Sequence, residues 1–503
     1  MLETQHSNTS GVQPERERNG HDTNSNHTLA KPLVPRRATR HPLPPMPEAP
    51  QDAPLPALPT RDAYAAFRSP GYRAYAISGL ISILGRQMMG MALAYEIYER
   101  THSKTALGLV GLMGALPIIL LSIPAGVTAD RWSRKGIVVV TQVLVVITSI
   151  CLAVLSYEHF AIPGGGVVSF GMRSLYAVAR WFGEKEGITF EPVMPLIYLL
   201  IFINGIARAF SWAARSALFP SLVPRSALSN AVMWNSSTFE LTSVIGPVLG
   251  GFTIAAFGIP IVYAIDAACG LAGLVMLVPI RVPPPAHLPH QHPLRDLFSG
   301  LHFVYGNKVI LGAVTLDMFA VLLGGATALL PAFAKEILGV GAVGLSWLRA
   351  APSFGAVLMA FALAHRPPIQ RAGHTMLWAV AGFGAATIVF GLSHNFALSF
   401  LALAITGACD NISVVVRHTL VQYLTPDAMR GRVSAVNNIF IGSSNELGTL
   451  ESGLTGALFG PVISVVAGGI GTILVVLGIA RKWPELLRTG PLQPPEKLPE
   501  SAD

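Results

Sequence analysis

The amino-acid sequence predicts an all-α polytopic membrane protein with twelve transmembrane helices in two pseudo-symmetric six-helix halves. Three observations carry that prediction. Of the 503 residues 51% are hydrophobic and 12% charged, with a mean hydropathy of +0.53, whereas soluble domains carry about a quarter charged residues. The apolar residues gather into twelve runs, each close to the ~20 residues an α-helix needs to cross a bilayer. The second half of the chain also repeats the first at a fixed spacing.

Residues 1–66 are polar, rich in Pro, Asn, Arg and Glu, and contain no apolar stretch, which predicts a disordered cytoplasmic tail. A solvated charge run accounts for Arg36, Arg37 and Arg40, with contact to anionic lipid as the alternative. The N-terminal half, 67–280, opens with a helix over 72–98 that carries Arg86 near its middle. Runs at 105–129 and 137–157 flank a short charged turn containing Asp130, Arg131, Arg134 and Lys135. Residues 158–193 break the pattern and are expected to form an extracytoplasmic insertion, with a short amphipathic helix over 172–182 lying on the membrane. Runs at 195–219, 231–257 and 260–280 complete this half. A cytoplasmic linker, 281–308, carries His287, His290 and His292 without Cys or carboxylate partners, so it reads as a proline-rich loop and not as a metal site. The C-terminal half, 309–480, holds runs at 309–333, 341–365, 374–392, 397–423, 433–459 and 462–479, and a basic cytoplasmic tail follows at 481–503. Cys151, Cys269 and Cys409 lie far apart within apolar runs and read as small packing residues.

Charge orients these runs. Arg131, Arg134 and Lys135 share one side with Arg225, Arg281, Arg295, Lys308, Arg366, Arg371, Arg430, Arg432, Arg481 and Lys482. Cations resist translocation, so that side is cytoplasmic and both termini lie on it. The same bias accounts for the net charge of +8 without a nucleic-acid partner.

The repeat is read at one offset of 202 residues: Gly205 pairs with Gly407, Arg215 with Arg417, Pro224 with Pro426, Asn235 with Asn437, Gly246 with Gly448 and Gly251 with Gly453. Earlier in each half, Gly108 pairs with Gly344 and Leu112 with Leu348 at an offset of 236, so the first half is longer by the insertion. Two six-helix halves in parallel repeat are the architecture in which one half rocks against the other around a site near the midplane.

At this point the chain resembles the major facilitator superfamily over nearly all its length after Phe67. The turn matches that superfamily's loop between its second and third helices at Gly126, Asp130, Arg131, Arg134 and Lys135, with Ser133 where glycine is usual. The resemblance implies that Asp130 engages helix ends of the opposite half and gates one conformation. Gly246, Pro247, Gly250 and Gly251 look like the core of the antiporter motif of drug exporters in this superfamily, where proline kinks the helix and glycines admit a close neighbour. The stretches 214–225 and 425–433 look like the branch that includes siderophore exporters.

Ionisable residues at bilayer depth are costly, so each is a functional candidate. In the superfamily fold the first, fourth, seventh and tenth helices line the cavity, and they carry Arg86, Arg208, Asp317 and Asp410. The offset of 202 sets Arg208 against Asp410, while Asp317 has no charged counterpart. Asp410 or Asp317 is expected to carry the exchanged proton, with Arg208 or Arg86 tuning it or binding an acidic substrate group; a structural ion pair is the alternative. Arg215 and Arg417 read as snorkelling or helix-capping groups near the cytoplasmic ends. Arg349, Glu446 and Glu451 are further intramembrane charges, the last two either secondary proton sites or packing groups.

The function expected is secondary active transport: proton-coupled efflux of a small amphipathic metabolite, siderophore-like compound or drug by alternating access. The partners are that substrate, protons and the lipid bilayer, and the protein is a monomer in the bacterial inner membrane, with no cofactor and no enzymatic activity. Proton-symport uptake and lysolipid translocation are the alternatives within transport. A membrane enzyme would need a cluster of nucleophile, base or metal ligands that the sequence does not offer.

Overall fold

The structure, a computed structural model, describes residues 62, 64–157, 166–181, 191–280, 282, 293–367, 369–426 and 429–490. The expected tails over 1–61 and 491–503 and the linker histidines lie outside these residues. Among the described residues the regular structure is helical: α1 (Pro70–Thr101), α2 (Lys104–Arg131), α3 (Arg134–Leu155), α4 (Gly166–Trp181), α5 (Met194–Leu218), α6 (Leu228–Phe257) and α7 (Ile259–Leu277) come first. Then follow α8 (Pro293–Gly306), α9 (Lys308–Leu323), α10 (Ala342–Ala364), α11 (Ala372–Leu392), α12 (Phe396–Leu424), α13 (Arg430–Phe459), α14 (Pro461–Lys482) and α15 (Pro484–Leu487).

Eleven of these are long and apolar enough to cross a membrane, α9 counting together with its continuation to Ile337. The twelfth membrane-length helix, α13, has 30 residues but carries Asn437, Asn445, Glu446 and Glu451. It packs against α2, α8, α9 and α14, which buries Asn437 and leaves Asn445 exposed and Glu446 partly so. Elsewhere large apolar side chains such as Val140, Phe361 and Leu474 point outward. In α10 only 22% of the most apolar window is buried within the protein, as expected of a helix whose solvent is lipid.

Local chemistry fixes the helix ends. Ser103, Asn307 and Asn395 cap α2, α9 and α12 by accepting backbone N–H bonds of 3.0–3.2 Å. The helices α6 and α13 stop at Gly258 and Gly460, repeat mates with φ of 86° and 85°, a backbone conformation glycine alone adopts without strain. The repeat also recurs in packing. A Cβ on Gly205 would lie 3.0 Å from Pro117 of α2, and one on its mate Gly407 would lie 1.8 Å from the Pro352 carbonyl of α10.

The two halves meet through α2 against α13 and α6 against α10. Gly108 and Gly453 touch backbone to backbone, and a Cβ on Gly251 would meet Ser346 at 2.4 Å. At the outer end, opposite the Asp130 turn, ion pairs join the halves. Glu99 accepts from Lys335 at 2.8 Å, Lys104 meets Glu336 at 2.6 Å, and the Tyr98 hydroxyl also donates to Glu336. At the Asp130 end no ion pair joins the halves among the described residues.

Three segments differ from the sequence reading. The insertion helix begins earlier than 172, running over Gly166–Trp181, and packs through Gly171 on Pro195 at the start of α5. The linker contains α8, which lies along α13 so that a Cβ on Gly300 would fall 2.8 Å from the Arg432 carbonyl. Residues at both tail boundaries are packed: the Ala66 N–H donates to Asn230 at 3.1 Å, and Leu486 is buried beside Gly312 and Gly373.

Candidate functional site

A rise of about 1.5 Å per residue, counted from the outer helix ends, puts Arg86 of α1, Arg208 of α5, Asp410 of α12 and Glu446 of α13 all about 20 Å deep. They form a charged belt between the halves. Within it Arg208 Nη2 donates to Glu446 Oε1 at 3.1 Å, an ion pair from one half to the other. The side chains remain 44% and 20% exposed, so the pair faces open space. Gly114 makes room for it, since a Cβ there would lie 3.4 Å from Glu446 Oε2 and 3.9 Å from Arg208 Nη1.

Arg208 therefore meets Glu446 and not Asp410. The reason is geometric: residues related by a pseudo-two-fold axis share a depth but lie on opposite sides of it, and they touch only when close to it. Arg86 is half-buried and its Nε has no hydrogen-bond partner. Arg349, from α10 of the other half, reaches across so that its Nη2 lies 3.6 Å from the Cβ position of Gly90 on α1. Neither Arg86 nor Arg349 makes an ion pair among the described residues. Of these three guanidiniums Arg208 alone pairs with a carboxylate, Glu446, among the described residues, while Asp266 of α7 lies near enough to Arg86 to act on it electrostatically.

The other charges lie within single halves. Asp317 Oδ2 and Arg417 Nη1 pair at 2.9 Å with side chains 5% and 2% exposed, and Arg417 also donates to Asn437 Oδ1 at 3.3 Å. This corrects the reading of Arg417 as a snorkelling or capping residue: α13 covers that stretch of α12, and the guanidinium is held inside the protein. Its mate Arg215 bonds to neutral groups, Gln142 Oε1 at 3.1 Å and Ser211 Oγ at 3.2 Å. Asp317 and Asp410 line one recess of about 10 Å³ in the C-terminal half, with Ser413 beside them and Val380 and Phe383 on its apolar wall. Asp410 makes no hydrogen bond or ion pair among the described residues. Glu451 accepts from its own helix, from Ser452 at 3.4 Å on the carboxylate and from Thr455 at 3.0 Å on the backbone carbonyl.

Residues 75–449 match the family model described as the Major Facilitator Superfamily. The chain belongs to that superfamily. Enterobactin exporter EntS of Shigella boydii serotype 18 is 28% identical over 407 residues, covering 81% of this chain and 90% of the relative, and the same figures hold for EntS of Escherichia coli O81. Among solved structures, a bacterial homologue of the human lysosomal transporter Spinster, inward-facing and unoccupied, matches with a TM-score of 0.60 at 15% identity over 86% of this chain and 99% of that one. The inward-open xylose transporter XylE from E. coli matches at 0.58 and 15% identity, over 82% and 95% of the two chains. These likenesses show the fold. The chain is thus a multi-pass membrane transporter of the major facilitator superfamily.

The superfamily's turn is built from capping bonds. Ser133 accepts from the Gly136 N–H at 3.2 Å as the N-cap of α3, with φ of −59°, so glycine is not needed there. Arg134 and Lys135 bind carbonyls at the ends of α5 and α7, Ala217 at 3.0 Å and Val278 at 2.5 Å. Asp130 and Arg131 are exposed, and nothing lies within 4 Å of a Cβ position at Gly126, so Asp130 does not engage the opposite half in this conformation. On α6, around Pro247, Gly246 and Gly250 pack on α1 at Gln87 and Met88, while Gly251 faces α10.

The outer ion pairs escaped sequence reasoning, although a signal was present: the offset of 236 sets Glu99 on Lys335 and Arg100 on Glu336 with charges reversed. Equally hidden was Glu96, fully buried, which accepts from Tyr263 at 2.6 Å and Arg100 at 2.9 Å. Among the described residues no three His, Cys, Asp or Glu side chains group as metal ligands.

Proposed function

We propose that the chain exports a small amphipathic anion of the siderophore type, by proton-coupled alternating access, as a monomer in the bacterial inner membrane with both termini cytoplasmic. The observation that carries this reading is the Arg208–Glu446 ion pair, which joins the halves in the central belt and faces open space. Arg86 lies at the same depth without an ion pair among the described residues, and a guanidinium fork suits carboxylate, phosphate or catecholate oxygens. The likeness to enterobactin exporters supports the same class. Positive-inside bias puts the Asp130 end in the cytoplasm, so a conformation joined at its outer end is one that loads from inside. The turn at Gly126, Asp130, Arg131, Arg134 and Lys135 then acts as the inner gate, and α6 with Gly246, Pro247, Gly250 and Gly251 as a close-packed rocking surface. Asp317 is already neutralised by Arg417, which favours Asp410 as the proton carrier.

The test uses inside-out vesicles with an acid interior and enterobactin as probe. Enterobactin-dependent proton release is expected for the native protein, lost in Asp410→Asn and reduced at least tenfold in Arg208→Gln. In Glu446→Gln, which frees Arg208 from its internal carboxylate, KM should fall while the maximal rate also falls. Enterobactin accumulation without proton release would remove proton coupling from the reading, and an unchanged KM in both belt variants would remove the anion site.

A further inference from the structure

The recess between α9 and α12 holds more than a lone acid. Two carboxylates line it: Asp317 is cancelled by Arg417 at 2.9 Å and Asp410 is left over, with Glu240 of α6 acting on Asp410 electrostatically from outside the lining. Ser413 stands three residues from Asp410, hence on the same helix face. It is 2% exposed and its Oγ has no hydrogen-bond partner. In the same helix Thr406 and Thr419 satisfy their hydroxyls on the carbonyls of Leu403 and Val415, each at 2.7 Å, whereas Ser413 Oγ, like Asn411 Oδ1, is buried without a partner. A buried hydroxyl that forgoes this bond and lines a recess with two carboxylates has its lone pairs available to a ligand.

We propose that this recess binds one monovalent metal cation, Na⁺, between the Asp410 carboxylate, the Ser413 hydroxyl and the Asp317 carboxylate. Hard oxygen donors without imidazole select a hard cation over a transition metal. The charge count selects a single positive charge, because a divalent ion would leave the recess with a net charge away from water. The recess, about 10 Å³ in volume, has room for a single water-sized occupant, so the protein oxygens that line it would supply most of the ion's shell. The repeat makes the site one-sided: Asp410 has Arg208 as its mate and Asp317 has Ile81, so the N-terminal half has no equivalent. The proposal rests on the reading above only in taking this recess as the coupling site. A proton on Asp410 would supply the same single charge, and the experiment separates the two sources.

The full chain in lipid nanodiscs, at fixed pH and ionic strength, is titrated with NaCl replacing N-methyl-D-glucamine chloride while the thermal midpoint and the heat of binding are followed. The native protein is expected to show a saturable rise in midpoint and saturable heat, as for any ligand that binds the folded state. Ser413→Ala should weaken apparent affinity at least fivefold, and Asp410→Asn should abolish the response. Should Asp410→Asn fail to fold, Ser413→Ala and Asp410→Glu carry the test, since both keep the charge balance and both should change the affinity. An identical midpoint in the two salts, or a native response in both Ser413 and Asp410 variants, overturns the site and leaves the proton alone. Proton-driven efflux in sodium-free vesicles is scored separately, so the export reading can stand while the sodium site falls, or the reverse.

Discussion

Arg417 is 2% exposed, yet it carries a full charge about one-quarter of the way along its helix from the Asp130 end. Burying an ion is tolerated only with a partner of opposite sign and bonds for the remaining donors, which Asp317 and Asn437 provide. Removing one partner strands the other. Arg417→Gln or Asp317→Asn should each cost about 3–5 kcal/mol, while the double variant, a neutral pair, should recover much of that loss. Arg215→Gln, which breaks bonds to neutral groups such as Gln142 and Ser211, should cost about 1 kcal/mol. Thermal unfolding of the four purified variants measures this, and a double variant as unstable as the two single losses added together would mean the pair is not coupled. From sequence, both charges were legible as intramembrane and their pairing was not. Hydrophobic runs report depth along a helix, whereas the pairing depends on which neighbour covers that depth, here α13.

At the scale of the helices, legibility followed composition. Eleven of the twelve membrane-length helices were readable because twenty apolar residues have few alternatives to a spanning helix. The helix α8 was obscured by the proline and histidine run before it, and the break of α9 at Gly324-Gly325 by the apolar residues on both sides. Interfaces between helices were legible only as repeated glycines, whose meaning appears once their neighbours are known. Gly453 is the clearest: a Cβ there would lie 2.3 Å from the Gly108 Cα and 2.9 Å from the Lys104 carbonyl. Both neighbours are backbone, so neither can yield by a rotamer change. Gly453→Leu should therefore pry α13 from α2 at the outer end and disfavour the conformation joined there. Spin-label distances between the outer ends of the halves should lengthen, and transport should drop at least tenfold with the protein still inserted. Native distances and native transport would show that the contact can be given up.

At the scale of the whole molecule, the repeat imposes a rule on every charge between the halves: two mates can bond to each other only near the pseudo-two-fold axis. Arg208 and Asp410 are mates away from it and do not bond, whereas Glu99 and Lys335, mates at the offset of 236, bond at 2.8 Å through both carboxylate oxygens. That pair therefore sits close to the axis, where exchanging its members restores nearly the same geometry. Both side chains are about 40% exposed, so the bond itself contributes about 0.2–1 kcal/mol, and a like-charge pair would oppose closure by a similar amount. Glu99→Lys or Lys335→Glu alone should shift the equilibrium toward opening of the outer end by roughly two- to thirtyfold, most strongly at low salt because exposed charges are screened. Glu99→Lys combined with Lys335→Glu should return the population to within about twofold of native, since the exchange re-forms the same bond. Spin-label distance distributions across the outer ends report these populations directly. If the exchanged protein opens as much as the single variants, the pair is not related by the axis, and the neighbouring Lys104–Glu336 bond, which is not a mate pair and has no such freedom, would hold the outer end alone.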